Sequence, residues 1–261
     1  MPLKLPSTVL RLLAASVLAA TAAASAQEPR RVGGLVTPES VLLTADGRIV
    51  VSEIGGFGVD GDGRLTRVGA DGKLQPFVTA GLDDPKGLAE RDGVLFVADK
   101  TRVLKVDREG RVSVLAAASA FPQPTRFLND LAFGADGELY VSDSGDLQNG
   151  GLGAIFRVAA NGAVSLVVNE AANPAVKSPN GLLADGPGRL LVVDFASGEL
   201  LRLTLASGAT EKLADGFGGG DGLARDAAGM LYISDWKGGK VWKLALGQPG
   251  AKPVLYPLAF Q

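Results

Sequence analysis

The chain has 261 residues, with 26 basic and 28 acidic side chains, a formal net charge of −2, and neither histidine nor cysteine. Without those two residue types, disulfides, thiolate or imidazole zinc sites, Ser-His-Asp triads and a histidine general base are all excluded. Charges of both signs are interspersed without a basic stripe, so nucleic acid is not an expected partner, and any catalysis falls to carboxylates, lysine, hydroxyls or a hard metal ion.

Residues 1–26 read as a secretory signal peptide. Lys4 and Arg11 form a weakly basic start, Leu12 to Ala24 is an uncharged apolar run, and Ala24-Ser25-Ala26 is an A-x-A cleavage signal. The run is short for a bilayer span of about 20 residues, and no second candidate follows it. The expectation is a periplasmic or secreted protein, free of the membrane after cleavage; an uncleaved anchor is the alternative.

From residue 38 onward one pattern recurs five times. A short anchor is followed by a hairpin glycine and then by a closing acid, at nearly constant spacing. The anchors are Pro38-Glu39-Ser40, Pro85-Lys86-Gly87, Leu128-Asn129-Asp130, Pro179-Asn180-Gly181 and Gly220-Asp221-Gly222. The hairpin glycines are Gly47, Gly93, Gly137, Gly188 and Gly229, and the closing acids Glu53, Asp99, Asp143, Asp194 and Asp235. The third unit shows the grammar in full. Asn129 to Phe133 is a first strand, Ala135-Asp136-Gly137 a turn, and Glu138 to Asp143 the returning strand. Ala154 to Val158 and Ala163 to Val167 then form a second hairpin through Asn161-Gly162. Asp-Gly and Asn-Gly between apolar runs signal hairpins because glycine takes φ > 0 without a steric penalty.

Four antiparallel strands in a unit of about 40 to 50 residues, without helical periodicity, predict an all-β fold, a β-propeller of four-stranded blades. The predicted domain covers 27–261, with blades near 38–80, 81–120, 127–170, 178–215 and 220–258. First strands of propeller blades line the central channel, so Glu39, Lys86, Asn129, Asn180 and Asp221 are expected to ring one mouth of it. The closing acids recur whatever the anchor is and are expected to hold turns rather than do chemistry. Asp60-Gly61-Asp62-Gly63 lacks the later ligands of a calcium loop and reads as a turn. Gly216 to Gly222 precedes a strand rather than a helix, so it reads as a loop between blades, not a phosphate cradle.

Glu39, Asn129, Asn180 and Asp221 offer two carboxylates and two amide carbonyls, a donor set suited to a hard cation such as calcium. A lysine at the second anchor could instead pair with Glu39 or Asp221, bind an anion, or fill the channel without any metal.

These phrases, with Phe127-Leu128-Asn129-Asp130, Asp221-Gly222-Leu223-Ala224 and Ser234-Asp235-Trp236, resemble the family of senescence marker protein (regucalcin), gluconolactonase and, more distantly, strictosidine-synthase-like proteins. The resemblance implies a six-bladed propeller holding one divalent cation, Ca2+ or another such as Zn2+ or Mg2+, on Glu39, Asn129, Asn180 and Asp221. It also implies a gluconolactonase-like hydrolase acting on a small-molecule sugar lactone or related ester. On that reading Asp221 doubles as general base, Lys86 steadies the oxyanion, and Arg126 and Asp130 are candidate substrate contacts. A non-catalytic binding propeller is the alternative. Five repeats fall short of six blades, and Leu255 to Gln261 read as the lead-in to a sixth. A truncated product, closure with five blades and closure by a partner are the readings open at this point.

Overall fold

The computed structural model describes residues 31–248 and 250–256; the predicted signal peptide and residues 257–261 lie outside them. Twenty strands form five four-stranded antiparallel sheets, each in simple sequence order. The first sheet contains β1 (Pro38–Leu43), β2 (Ile49–Glu53), β3 (Arg64–Val68) and β4 (Leu74–Val78). The second contains β5 (Pro85–Arg91), β6 (Val94–Asp99), β7 (Arg102–Val106) and β8 (Val112–Ala116), and the third β9 (Leu128–Phe133), β10 (Leu139–Asp143), β11 (Ala154–Val158) and β12 (Val164–Asn169). The fourth contains β13 (Pro179–Ala184), β14 (Arg189–Asp194), β15 (Glu199–Thr204) and β16 (Thr210–Ala214). The fifth contains β17 (Gly220–Arg225), β18 (Leu231–Asp235), β19 (Lys240–Leu244) and β20 (Val254–Leu255). A 3-10 turn at Ala118–Ala120 is the one helical element among the described residues.

The hairpin glycines act as the sequence predicts. Gly137 turns β9 into β10 at φ 83°, where a side chain would be strained, and Asp136 holds the turn through the Glu138 amide and the Tyr140 hydroxyl. The closing acids are clamps. Asp143 accepts hydrogen bonds from the amides of Arg126 (2.9 Å), Phe127 (2.7 Å) and Gly145 (3.0 Å). It thereby ties the entry of the first strand to the end of the second. Asp99 does the same for Asp83, Asp194 for Ser178 and Asp235 for Gly219.

The inner strands β1, β5, β9, β13 and β17 pack side by side in that order. An apolar cluster fills each of the four junctions. Leu88 packs with Val50 and Leu65 of the first blade, Leu131 with Ala98 and Val103 of the second, and Leu182 with Tyr140 and Ile155 of the third. Phe217, Ile233 and Leu244 pack with Leu191 and Leu200 across the fourth junction. Burying one such leucine contributes about 2–3 kcal/mol. β17 and β1 are not packed against each other in this manner. Val41, at the position of Leu88, Leu131 and Leu182, is 71% exposed, and Leu43 is exposed beside it.

Two sequence expectations change. Val254 and Leu255 pair with Lys243 and Trp242 as the outer strand of the fifth blade, so Leu255 belongs to that blade, and residues 257–261 of the expected lead-in lie outside the described ones. Gly220 to Gly222 belong to β17, because their backbone completes the inner strand; only Gly216 to Gly219 are a connection. Asp60-Gly61-Asp62-Gly63 is a loop as expected, with Asp60 paired to Lys100 and Asp62 accepting the Gly56 amide.

Candidate functional site

Every inner strand carries a β-bulge at its anchor. In the first blade Pro38 faces Glu53 and Val41 faces Val51, so Glu39 and Ser40 together oppose the single residue Ser52. The same slip occurs at Lys86-Gly87, Asn129-Asp130, Asn180-Gly181 and Asp221-Gly222. A bulge breaks the period-two alternation of side chains, and here it re-aims each anchor relative to the apolar residues after it. In three blades the opposing residue is a serine whose hydroxyl secures the bulge. Ser52 Oγ accepts the Ser40 amide (3.0 Å), Ser142 Oγ the Asp130 amide (2.9 Å) and Ser234 Oγ the Gly222 amide (2.7 Å).

Two cavities open along the channel, of about 820 and 770 Å3. Glu39, Asn129, Asn180 and Asp221 line both of them, so these four residues form the waist between two funnels. Asn180 Nδ2 donates to Asp221 Oδ1 at 2.9 Å, and Asn129 Nδ2 to Ser144 Oγ at 3.0 Å. Each bond fixes its amide with the nitrogen toward the neighbouring side chain, which leaves the amide oxygen as an available acceptor. Glu39 Oε2 is buried and has no hydrogen-bond partner. Such an atom carries its full desolvation penalty unless a ligand or cation meets it.

Electrostatics point the same way. Burial raises the Glu39 carboxyl well above the usual carboxylate range, and the like charges of Asp221 and Asp130 add to it, against the opposing pull of Lys86 and the Ser40 hydroxyl. Asp221 is also raised by burial, opposed by hydrogen bonds from Asn180 and Ser234. Two acids that ionise reluctantly because they are buried together form a place where a cation is stabilising. Among the described residues no three His, Cys, Asp or Glu side chains are grouped to hold a metal. The donors here are instead two carboxylates and two amides, all hard oxygen, and they fit calcium better than zinc.

The remaining predicted residues are placed differently from one another. Lys86 is fully buried and lines neither cavity, so the expected position at the channel mouth is not observed. Its Nζ donates to the Asp84 carbonyl (3.1 Å) and lies 4.1 Å from the centre of the Phe127 ring. Burial lowers its pKa, against the attraction of Asp84, Glu39 and Asp99. Asp130 lies on the larger cavity, away from the mouth that Arg126 lines. Its carboxylate accepts the Leu131 amide and, across to the fourth blade, the Leu182 amide at 2.7 Å. Burial outweighs those bonds and lifts its pKa to about 7. Arg126 is exposed and lines the smaller cavity beside Phe127.

The sequence reading missed the rim of that smaller cavity. Phe57, Phe195, Trp236 and Leu147 line it. Phe195 and Trp236 each follow a closing acid directly, and that shared offset was the available signal.

Residues 78–252 match the SMP-30/Gluconolactonase/LRE-like region. The chain belongs to this family. Solved structures share the fold at low identity. A virginiamycin B lyase from Staphylococcus aureus is 16% identical, with a TM-score of 0.60 over 86% of this chain and 71% of that one. A chain of a nidogen/laminin complex is 18% identical, with a TM-score of 0.64 over 80% of this chain and 76% of that one. Comparison with curated proteins gives no match. For this family member the identity of the solved structures is too low to carry more than architecture.

Proposed function

We propose that this family member is a metal-dependent hydrolase that opens a lactone or related ester at the channel waist, in the periplasm or outside the cell. The observation that supports it is the convergence of four oxygen-bearing anchors around the partnerless Glu39 Oε2. Glu39, Asn129, Asn180 and Asp221 would hold a calcium or other divalent ion, which when bound polarises a carbonyl and acidifies a water. Asp221 takes a proton from the attacking water as its oxygen bonds to the acyl carbon. The acyl C–O bond then breaks, and the proton passes to the departing oxygen, giving a hydroxy acid from a lactone. Lys86 acts from behind the waist, where its charge favours the ionised form of Glu39.

A non-catalytic propeller is favoured by one observation only: Lys86 already supplies a buried positive charge near Glu39. Calcium titration of the chelator-treated protein, read as thermal stability, separates the two. Calcium at about 100 times its Kd should stabilise the protein by about 2.7 kcal/mol. Asp221→Asn should remove most of that gain together with lactone turnover. An unmoved melting curve would count against the metal site, and calcium binding without turnover of any lactone or ester would favour the binding propeller.

A further inference from the structure

The smaller cavity has a polar floor and an apolar wall. Its floor is the four anchors, and its wall carries Phe57, Phe127, Phe195 and Trp236, with Ile54 and Leu147. Trp236 is 71% exposed and Phe57 66% exposed, although large aromatic side chains normally gain by burial. Phe195 leans against Trp236 with ring centres 6.1 Å apart, and Lys237 Nζ lies 4.6 Å from the Phe195 ring. Polar side chains on the same wall are few and mostly engaged. Thr37 Oγ1 donates to the Gly55 carbonyl at 2.7 Å, and Asp146 accepts the amides of Gln148 and Asn149. Among the described residues of this wall, Arg126, the Gln148 side chain and the remaining acceptor capacity of Asp146 are left for a ligand.

A polyhydroxylated ring would bring more hydroxyls into this cavity than such a wall can pair. Unpaired hydroxyls weigh heavily against binding, whereas an aromatic wall gains from any flat or branched apolar group. We infer that the ligand taken at this end is a small ester or lactone bearing an aryl or branched alkyl group, not a sugar lactone. Its carbonyl reaches the polar floor and its apolar group lies against the aromatic wall. The inference rests on the hydrolase reading for the carbonyl, while recognition of the apolar group does not need the reaction.

Non-hydrolysable lactams test it on the full chain by calorimetry: 3,4-dihydroquinolin-2-one as the aryl probe and gluconolactam as the sugar probe. The aryl lactam should bind at least about tenfold more tightly. Replacing both Phe57 and Trp236 by alanine should weaken it about tenfold and leave the melting temperature unchanged, since both side chains are exposed. Quenching of the Trp236 emission by the aryl lactam, absent in Trp236→Phe, should report the contact directly. Gluconolactam binding as well as the aryl lactam, an aryl affinity indifferent to the double substitution, or no binding of either would overturn the inference. So would protein-concentration-dependent self-association that alone accounts for the quenching of Trp236. Calcium binding without binding of the aryl lactam sinks the inference alone; aryl binding without turnover of the matching lactone sinks the hydrolase reading alone.

Discussion

Leu131 and Val41 hold the same place in their blades, two residues after an anchor asparagine or glutamate, yet one is 4% exposed and the other 71%. Leu131 packs into the second blade. Val41 faces the side of the first blade on which, among the described residues, no sheet is stacked. On the facing side of the fifth blade, Tyr232 and Val241 line the open cavity, whereas the corresponding Tyr140 and Ile155 of the third blade are buried. An identical strand grammar thus produces a core position in one junction and a surface position at the seam. The neighbour, not the strand, decides which.

Mutation at paired positions would break or sharpen this contrast. The largest effect is expected at Leu131→Ala, which should cost about 3 kcal/mol in a denaturant titration, against less than about 0.5 kcal/mol for Val41→Ala. Equal losses would mean that Val41 is covered in solution. A second effect comes from pH in the interior junction of the third and fourth blades. The Asp130 carboxyl sits at about 7 when folded, above the ordinary value of 3.8. Its protonated form is therefore favoured by folding, so this stability is complete below pH 4 and is lost as pH rises through 7. Chelator-treated protein should lose about 2 kcal/mol between pH 5 and 8, and Asp130→Asn should flatten that slope. A stability that climbs with pH over this range, unchanged by the substitution, would contradict the burial of this acid.

The smallest contrast concerns the glycine that follows the anchor in the second, fourth and fifth blades. A Cβ on Gly181 would lie 2.5 Å from the Asp221 carbonyl oxygen and 3.0 Å from the Leu223 amide, wedging the fourth and fifth blades apart. Gly181→Ala should cost about 1–2 kcal/mol. On the seam side, a Cβ on Gly222 meets only Ser234 Oγ at 3.2 Å, so Gly222→Ala should be close to neutral by the same titration. Similar losses at both glycines would again argue that the seam is filled.

Much of this was legible in the sequence because it is local. The φ 83° turn at Gly137 and the grip of Asp143 on nearby amides depend on residues within about twenty positions of one another, and repetition made them visible. The four oxygen-bearing anchors were legible for the same reason, since equivalent strand starts must share one ring. Lys86 was not. Its repeat position promised a channel-lining side chain, but Phe127, brought in from the entry to the third blade, and the Asp84 carbonyl two residues upstream give its ammonium a better place away from the cavities. Nor was the bond of Asp130 across the third junction, because one of the two amides it accepts belongs to Leu182, in the next blade.

By itself, then, the sequence determined the strand count per unit, the hairpin chemistry, the clamp acids and the oxygen character of the waist. Each follows from short-range geometry repeated five times. Tertiary structure alone decided which of the repeated positions are buried, which way the bulged anchors point, and that Phe57 and Trp236 line one cavity. Those outcomes depend on which blade lies against which, and no periodicity within a blade encodes its neighbour.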